Sequence, residues 1–229
     1  MTTRRPGLRE EKKQATQVAL REAALRLALE HGPANVRVDD IAEAAGVSPR
    51  TYNNYFSSRE QAIVAAVTAE REHRVAAAVA AWPAHVRLAD ALTATIVEQY
   101  TEPRDRDELL LITASPALRD SYLDAAATIE HPLATAIDQR LGGTGTFTSR
   151  VLATSVAAAV RVALQQWLQP PPAPLATSGL LLLSGSLPDL LRSALATLAP
   201  ALDAAEEQAR RPTSRQVRGA ADGQEMTGF

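Results

Sequence analysis

The sequence has no cysteine among its 229 residues, and only 4% of them are aromatic. Without cysteine there can be no disulfide, no thiolate metal site and no cysteine nucleophile. The four histidines lie far apart and lack the spacing typical of a metal site, so neither a metal nor another cofactor is predicted. A lack of cysteine also fits a cytoplasmic location.

Long apolar runs and catalytic motifs are missing too. No uninterrupted window reaches about 18 apolar residues, the length that spans a bilayer. The first residues are charged and lack the apolar core of a signal peptide. There is no phosphate-binding loop with its lysine, no dinucleotide fingerprint and no nucleophile elbow. We therefore expect a soluble, cytoplasmic protein that is not an enzyme and has no membrane partner.

Alanine and leucine dominate a hydrophobic fraction of 46%. Both residues lose little entropy in a helix, so the composition favours helix over sheet. Apolar residues at three- and four-residue spacing, ended by glycine or proline, predict an all-α protein. Pro132 should kink or split one helix, and residues 175–184 are ambiguous. The predicted helices are 10–31, 38–45, 49–56, 58–82, 86–101, 105–114, 117–141, 147–169 and 187–210.

The charge distribution is more informative than the net charge of −2. The first 21 residues contain six basic and two acidic side chains, so the rest of the chain is acidic. This asymmetry indicates a local basic surface on an acidic body. Arg4 and Arg5 belong either to a free tail or to an arm that reaches a DNA minor groove.

The segment 38–56 carries the most specific pattern in the chain. Gly46 follows a short predicted helix, at a position where a tight turn needs a positive φ. Ser48 is a favourable N-cap and Pro49 is tolerated in the first helical position, so a second helix begins at once. Two short helices joined in this way predict a helix-turn-helix, whose second helix enters the DNA major groove.

Residues 20–68 resemble the DNA-binding domain of the tetracycline-repressor (TetR) family of bacterial regulators. The resemblance implies an N-terminal three-helix DNA-binding domain, joined by a long helix to a larger helical domain that binds a small molecule and dimerises. It also implies double-stranded operator DNA and a second copy of the chain as partners. The matching residues are Leu20, 23–25, Leu27, Gly32, 38–48, 49–56 and 58–61.

The motif and the resemblance together imply a set of DNA contacts. Arginine suits guanine and asparagine suits adenine, so Arg50, Asn53 and Asn54 are candidates for base reading. Hydroxyl and basic side chains suit the phosphates. The candidate DNA-binding residues are Lys12, Lys13, Arg37, Ser48, Pro49, Arg50, Thr51, Asn53, Asn54, Tyr55, Ser58 and Arg59.

Two departures from the family pattern bear on function. At Asn53 similar proteins often carry a tyrosine that contacts a phosphate, so Asn53 either reads a base or marks degenerate DNA binding. Arg59 replaces a usual lysine and keeps its charge. Three functions stay open: a repressor released by a ligand, an activator, and a helical small-molecule-binding protein with degenerate DNA binding.

Residues 61–210 are expected to hold the effector. Ligand pockets are mostly apolar with a few placed polar groups, so the scarce aromatics of this region and nearby polar residues are candidates. The composition and the resemblance imply a small, apolar effector, such as an acyl chain, an aromatic compound or a drug. The candidate ligand-binding residues are Trp82, Gln99, Tyr100, Thr113, Tyr122 and Trp167.

The last two long helices carry apolar residues on more than one side, which favours a four-helix bundle with a second copy. The predicted organisation is a flexible arm at 1–9, a DNA-binding domain at 10–60, a ligand-binding and dimerisation domain at 61–210, and a disordered tail at 211–229. The candidate interface residues are Val160, Leu164, Trp167, Leu187, Leu191 and Leu198.

Overall fold

The computed structural model describes residues 7–69, 71–101, 106–143, 145–168 and 186–211, and of these only the backbone at 72 and 106–109. Most of the predicted arm, the ambiguous stretch 175–184 and the tail from 212 lie outside these residues. Within the described ranges the regular structure is helical and no strand occurs. The all-α prediction is therefore confirmed.

The α-helices follow the predicted order, with short 3₁₀ turns at Pro33–Asn35 and Ala125–Ile129. Leu8 and Arg9 belong to the first helix, so that helix begins inside the predicted arm. The helices are α1 Leu8–His31, α2 Val38–Ala44, α3 Pro49–Tyr52, α4 Arg59–Thr68, α5 Arg71–Ala81, α6 Leu88–Thr101, α7 Arg106–Thr113, α8 Pro116–Asp124, α9 Glu130–Arg140, α10 Thr146–Trp167, α11 Leu187–Ala196 and α12 Ala199–Arg210.

Pro132 and Pro200 explain two of the helix boundaries. Pro132 lies in the first turn of α9, where its missing N–H has no intrahelical partner to lose, and the predicted split is confirmed. Pro200 lies in the first turn of α12. The prediction of one helix over 187–210 was wrong, because a proline inside a helix removes a hydrogen bond and clashes with the preceding turn.

The predicted helix over 58–82 is also divided. α4 ends at Thr68, whose hydroxyl donates a 3.0 Å hydrogen bond to the carbonyl oxygen of Val64 one turn earlier. This back-bonding weakens and bends helices. α5 then begins at Arg71. No glycine or proline marks this boundary, so the sequence pattern did not reveal it.

The first four α-helices share one apolar core. α1 packs against α4 and α2, and α2 packs against α3. Leu20, Ile41, Tyr52 and Ile63 bring one large side chain each from these four helices and are almost completely buried. Burying a leucine or isoleucine side chain contributes about 1.5–3 kcal/mol, so this core fixes where α3 lies.

The body is formed by α5, α6, α9, α10 and α11, with α12 packed against α6 and α8 packed against α4. α10 is the one described helix long and apolar enough to cross a membrane. Its buried face packs on α9 and α11, as expected for a core helix. Arg140 ties α9 to the end of α5, since its guanidinium donates hydrogen bonds to the carbonyl oxygens of Trp82 and Val86.

Candidate nucleic-acid interface

The turn between α2 and α3 is closed by backbone hydrogen bonds. Val47 N–H donates to the Ala42 carbonyl oxygen at 2.9 Å, and Gly46 N–H donates to that of Glu43 at 3.0 Å. This pair of bonds is the Schellman arrangement that ends a helix. Gly46 has a φ of +67°, which an L side chain rarely adopts. The glycine thus reverses the chain after α2 and lets α3 start three residues later, at Pro49.

α3 begins with the cap that the sequence predicted. The Ser48 hydroxyl oxygen accepts a hydrogen bond from Thr51 N–H at 3.1 Å and lies 2.9 Å from the Thr51 hydroxyl. Pro49 occupies the first helical turn, where the absence of its N–H has no cost. The same cap bonds hold Thr51 half-buried against the turn. The start of α3 is therefore fixed by local chemistry.

Tyr52 anchors the inner side of α3. Its side chain is fully buried, and its ring centroid lies 5.8 Å from that of Phe56. Its hydroxyl donates a 2.7 Å hydrogen bond to the carbonyl oxygen of Ser58. Burial, and secondarily the negative charge of Glu60, raises the pKa of Tyr52 to about 12. The phenol is therefore a neutral donor at any physiological pH.

With Tyr52 turned inward, much of α3 and of the turn that follows it faces solvent. Arg50, Asn53 and Asn54 are exposed, and none of their side chains makes a hydrogen bond or ion pair with another described residue. Their donors and acceptors are thus available to a partner. Of the other predicted contacts, Lys12, Lys13, Arg37, Ser48 and Pro49 are exposed, and Thr51, Tyr55, Ser58 and Arg59 are half-buried.

Arg59 is engaged within the protein. Its Nη1 donates to the carbonyl oxygens of Ala34 and Val36 at 3.0 and 2.7 Å, and its Nε donates to Glu60 at 2.8 Å. The hydrogen bonds from Arg59 lower the pKa of the Glu60 carboxyl against the opposing effect of burial. These bonds tie the start of α4 to the loop before α2. They favour a positioning role for Arg59 over the predicted phosphate contact.

Ser58 caps α4, because its hydroxyl oxygen accepts from Gln61 N–H at 3.1 Å. The Gln61 side-chain oxygen in turn accepts from Ser57 N–H at 2.7 Å. Beside this cap lies a cleft of about 320 Å³ between the DNA-binding helices and α8. Tyr55 and Ser121 line it from opposite sides.

The predicted ligand-binding residues fall into more than one environment. The Trp82 indole donates a 3.0 Å hydrogen bond to the Thr95 hydroxyl. Gln99 has a buried side-chain oxygen without a hydrogen-bond donor among the described residues. Thr113 and Trp167 are both half-buried, Thr113 at the end of α7 and Trp167 at the end of α10.

Tyr100 and Tyr122 do come together, around a residue that sequence reasoning missed. The guanidinium carbon of Arg71 lies 4.3 Å from the ring centroid of Tyr100 and 5.7 Å from that of Tyr122. Arg71 is only 4% exposed. A usable sequence pattern existed, since Arg71, Val75 and Val79 follow one another at four-residue spacing and both valines are core residues.

The predicted dimer residues lie in different environments, and the interface itself stays a prediction. Val160, Leu164, Leu187 and Leu191 are buried inside the single chain, where they have packing partners. Leu198 and Trp167 are half-buried. α10 has two apolar sides, and the side that the prediction assigned to the interface packs in the core.

The opposite side of α10 is exposed. Phe147, Val151, Ala158 and Val162 follow at spacings of four, seven and four residues, which places them on one face of the helix. Phe147 is 78% exposed, Val151 49% and Val162 62%. This row of four residues is called the α10 stripe below.

Comparison with known proteins matches both parts of the chain. Residues 20–66 match the family model described as bacterial regulatory proteins of the tetR family, and residues 91–203 match the model of the MftR C-terminal domain. This chain belongs to the TetR family. It is therefore a TetR-family transcriptional regulator with a helix-turn-helix DNA-binding domain.

A curated relative agrees with this membership. The HTH-type transcriptional regulator TcmR of Streptomyces glaucescens is 29% identical over 175 residues, which cover 71% of this chain and 77% of the relative. The tetR family model extends over α2, α3 and most of α4, and so includes the turn at Gly46 and the anchor Tyr52. The resemblance inferred from the sequence is confirmed.

Proposed function

We propose that this TetR-family regulator is a cytoplasmic repressor that binds a palindromic operator as a homodimer and leaves it when a small molecule binds the body. The observation that carries the proposal is the outward set Arg50, Asn53 and Asn54 above the buried Tyr52. Arginine and asparagine can each form paired hydrogen bonds with base edges in the major groove. Their side chains have no competing partner among the described residues.

The surrounding exposed residues supply the sequence-independent contacts in this proposal. Lys12, Lys13, Arg37 and Ser48 bind phosphates and set the orientation of α3 in the groove. Tyr55 and Ser58, which are half-buried beside α3, reach the adjacent phosphates. Arg59 holds the loop before α2 in place and acts on DNA binding through that loop.

A dimer supplies the second recognition helix. Exposed apolar surface arranged along one helix is unusual on a monomeric protein. Two copies that pair through their α10 stripes bury this surface in a symmetric interface. Two-fold symmetry then presents the two α3 helices to half-sites one helical turn apart, about 34–36 Å along the DNA.

Selection of DNA from a random library, followed by gel shifts with the DNA upstream of the protein's own gene, tests this function. We expect a selected sequence with dyad symmetry and a strong preference over random DNA. The matched control is the variant Arg50→Ala/Asn53→Ala/Asn54→Ala, which should melt like the wild type but lose that preference. Selection of no sequence above random DNA would contradict the DNA-binding role and favour a ligand-binding protein with degenerate DNA binding.

In vitro transcription separates repression from activation. A repressor lowers transcription from a promoter that contains the selected site, and the ligand restores it. If the ligand-free protein stimulates the same promoter, the protein is an activator and not a repressor. The other parts of the proposal would be unchanged.

A further inference from the structure

Arg71 is a buried cation whose hydrogen-bonding edge has no partner in the described part of the chain. Its Nε and Nη2 atoms are buried and donate to no described residue. It makes no ion pair with a described carboxylate. The guanidinium of an arginine is a permanent cation in proteins and has five N–H donors, so this edge keeps its need for acceptors.

The two tyrosines stabilise the charge of the guanidinium through their rings. The guanidinium carbon lies over the rings of Tyr100 and Tyr122 at cation–π distances. A guanidinium donates its hydrogen bonds in its own plane, along its edge. The two rings leave the donors at that edge unsatisfied. Nε–H and Nη2–H point in the same direction from that edge. These two donors match the two oxygens of a carboxylate, which binds such a fork through two parallel hydrogen bonds.

The surroundings also favour an anion with an apolar body. Arg71 is the first residue of α5, and the positive end of a helix dipole favours negative charge. The helices that carry the cluster bury Val75 in α5, Ile96 in α6 and Leu118 in α8. We infer that the effector is an organic acid with an apolar body, whose carboxylate binds side-on to Nε and Nη2 of Arg71 between α5, α6 and α8.

This inference rests on the proposed effector response and specifies its ligand class. A purely apolar effector would leave Nε–H and Nη2–H of Arg71 without an acceptor. The free-energy cost is the one typical of buried charged donors. A carboxylate removes that cost when it binds. The acid group therefore contributes affinity beyond what the apolar body supplies.

Titration calorimetry on the full chain tests the inference with acid and alcohol pairs that share a body: decanoate with decanol, and benzoate with benzyl alcohol. We expect the better-fitting acid to bind about 10- to 100-fold more tightly than its alcohol, as charge-assisted hydrogen bonds imply. Arg71→Met should lose this preference, while the affinity for the alcohol stays within about twofold. If neither acid binds more tightly than its alcohol, the inference is wrong.

The exposed Arg74 one turn further along α5 provides the matched control. Arg74→Met removes the same charge from the same helix and should keep the preference for the acid. Arg71→Lys keeps the charge but not the two parallel donors, so it should lose most of the preference for the acid. This variant replaces Arg71→Met in the test if Arg71→Met fails to fold. An acid preference that survives in either Arg71 variant overturns the inference.

Gel shifts with the same compounds distinguish this inference from the function on which it rests. Release of operator DNA by the acid, absent in Arg71→Met, supports both. Acid binding at Arg71 that leaves DNA binding unchanged supports the acid site and contradicts the effector response. Release by the alcohol alone, at equal affinity, keeps the effector response and overturns the acid site.

Discussion

The hydroxyl of Tyr52 donates a 2.7 Å hydrogen bond to the carbonyl oxygen of Ser58 and so joins the end of α3 to the start of α4. Ser58 is also the N-cap of α4. A single buried side chain therefore fixes the recognition helix to the helix that packs against α1 and α8. In the proposed DNA complex, the angle at which α3 meets the DNA depends on this bond.

Tyr52→Phe should remove the bond and keep the ring in the core. We expect a loss of about 0.5–1.5 kcal/mol in the free energy of unfolding, the usual net contribution of one hydrogen bond. Urea denaturation followed by circular dichroism measures it. A loss above about 3 kcal/mol would show that ring packing was also disturbed, and an unchanged midpoint would show that the bond contributes nothing to stability.

The raised pKa of Tyr52 predicts a dependence of stability on pH. An unfolded tyrosine loses its proton near pH 10, whereas the pKa of Tyr52 is about 12 in the fold. Its contribution is complete below pH 10 and is lost as the pH rises from about 10 to about 12. Across this pH range the melting temperature should fall more steeply for the wild type than for Tyr52→Phe. Parallel curves would assign the loss to other groups.

Arg50 is expected to read one base of the operator. Arg50→Ala should cost about 1–3 kcal/mol of binding free energy and relax specificity at a single position. Competition between the operator and its single-base variants measures this directly. Equal weakening for all sequences would mean that Arg50 contacts a phosphate.

Lys12 and Lys13 lie exposed near the start of α1 and are expected to contact phosphates. Each replacement by alanine should weaken binding to all sequences and reduce the slope of log affinity against log salt by about 0.9. Arg161→Ala on α10 removes one positive charge from the body and should leave the slope unchanged. A slope that does not differ between Lys12→Ala and wild type would remove Lys12 from the interface.

The α10 stripe predicts which substitutions separate the dimer. Val162→Glu should give a folded monomer that binds the operator weakly, because Val162 is exposed in one chain and covered by the second copy in the proposed dimer. Sedimentation velocity measures the change. Leu29→Glu replaces an exposed leucine outside the stripe and should leave the dimer intact. A Val162→Glu protein that remains dimeric would place the interface elsewhere.

Leu191→Glu, by contrast, should unfold the chain. Its side chain has no exposed surface in the single chain, and an unpaired carboxylate there costs several kcal/mol. Insoluble protein from this variant therefore would not locate the dimer interface. Val162 is the informative position on that question.

The DNA-binding helices could be predicted in detail because their determinants are local. Gly46 ends α2, Ser48 caps α3 and Pro49 starts it, and each acts within a few residues of its own position. Tyr52 lies on the buried side of α3. Its bond to Ser58 depends on how α3 meets α4, which no local pattern specifies.

The body was less predictable because its determinants lie far apart in sequence. α10 has apolar residues on two sides, and only the packing of α9 and α11 decides that Val160 is core and Val162 is exposed. The burial of Arg71 depends on Tyr100 and Tyr122, which come from other helices. The four-residue spacing of Arg71, Val75 and Val79 places the arginine on the buried side of α5, but only the positions of the other helices show what it packs against.

The side chains of Arg50, Asn53 and Asn54 make no hydrogen bond or ion pair with a described residue, and this has a consequence for evolution. Replacing these side chains breaks no cap, core contact or ion pair of the scaffold. Most substitutions at these positions should therefore change the free energy of unfolding very little. Gene copies can therefore acquire new target sites through a few substitutions without compensating changes elsewhere. Operator preference and architecture can diverge at different rates in descendants of this protein.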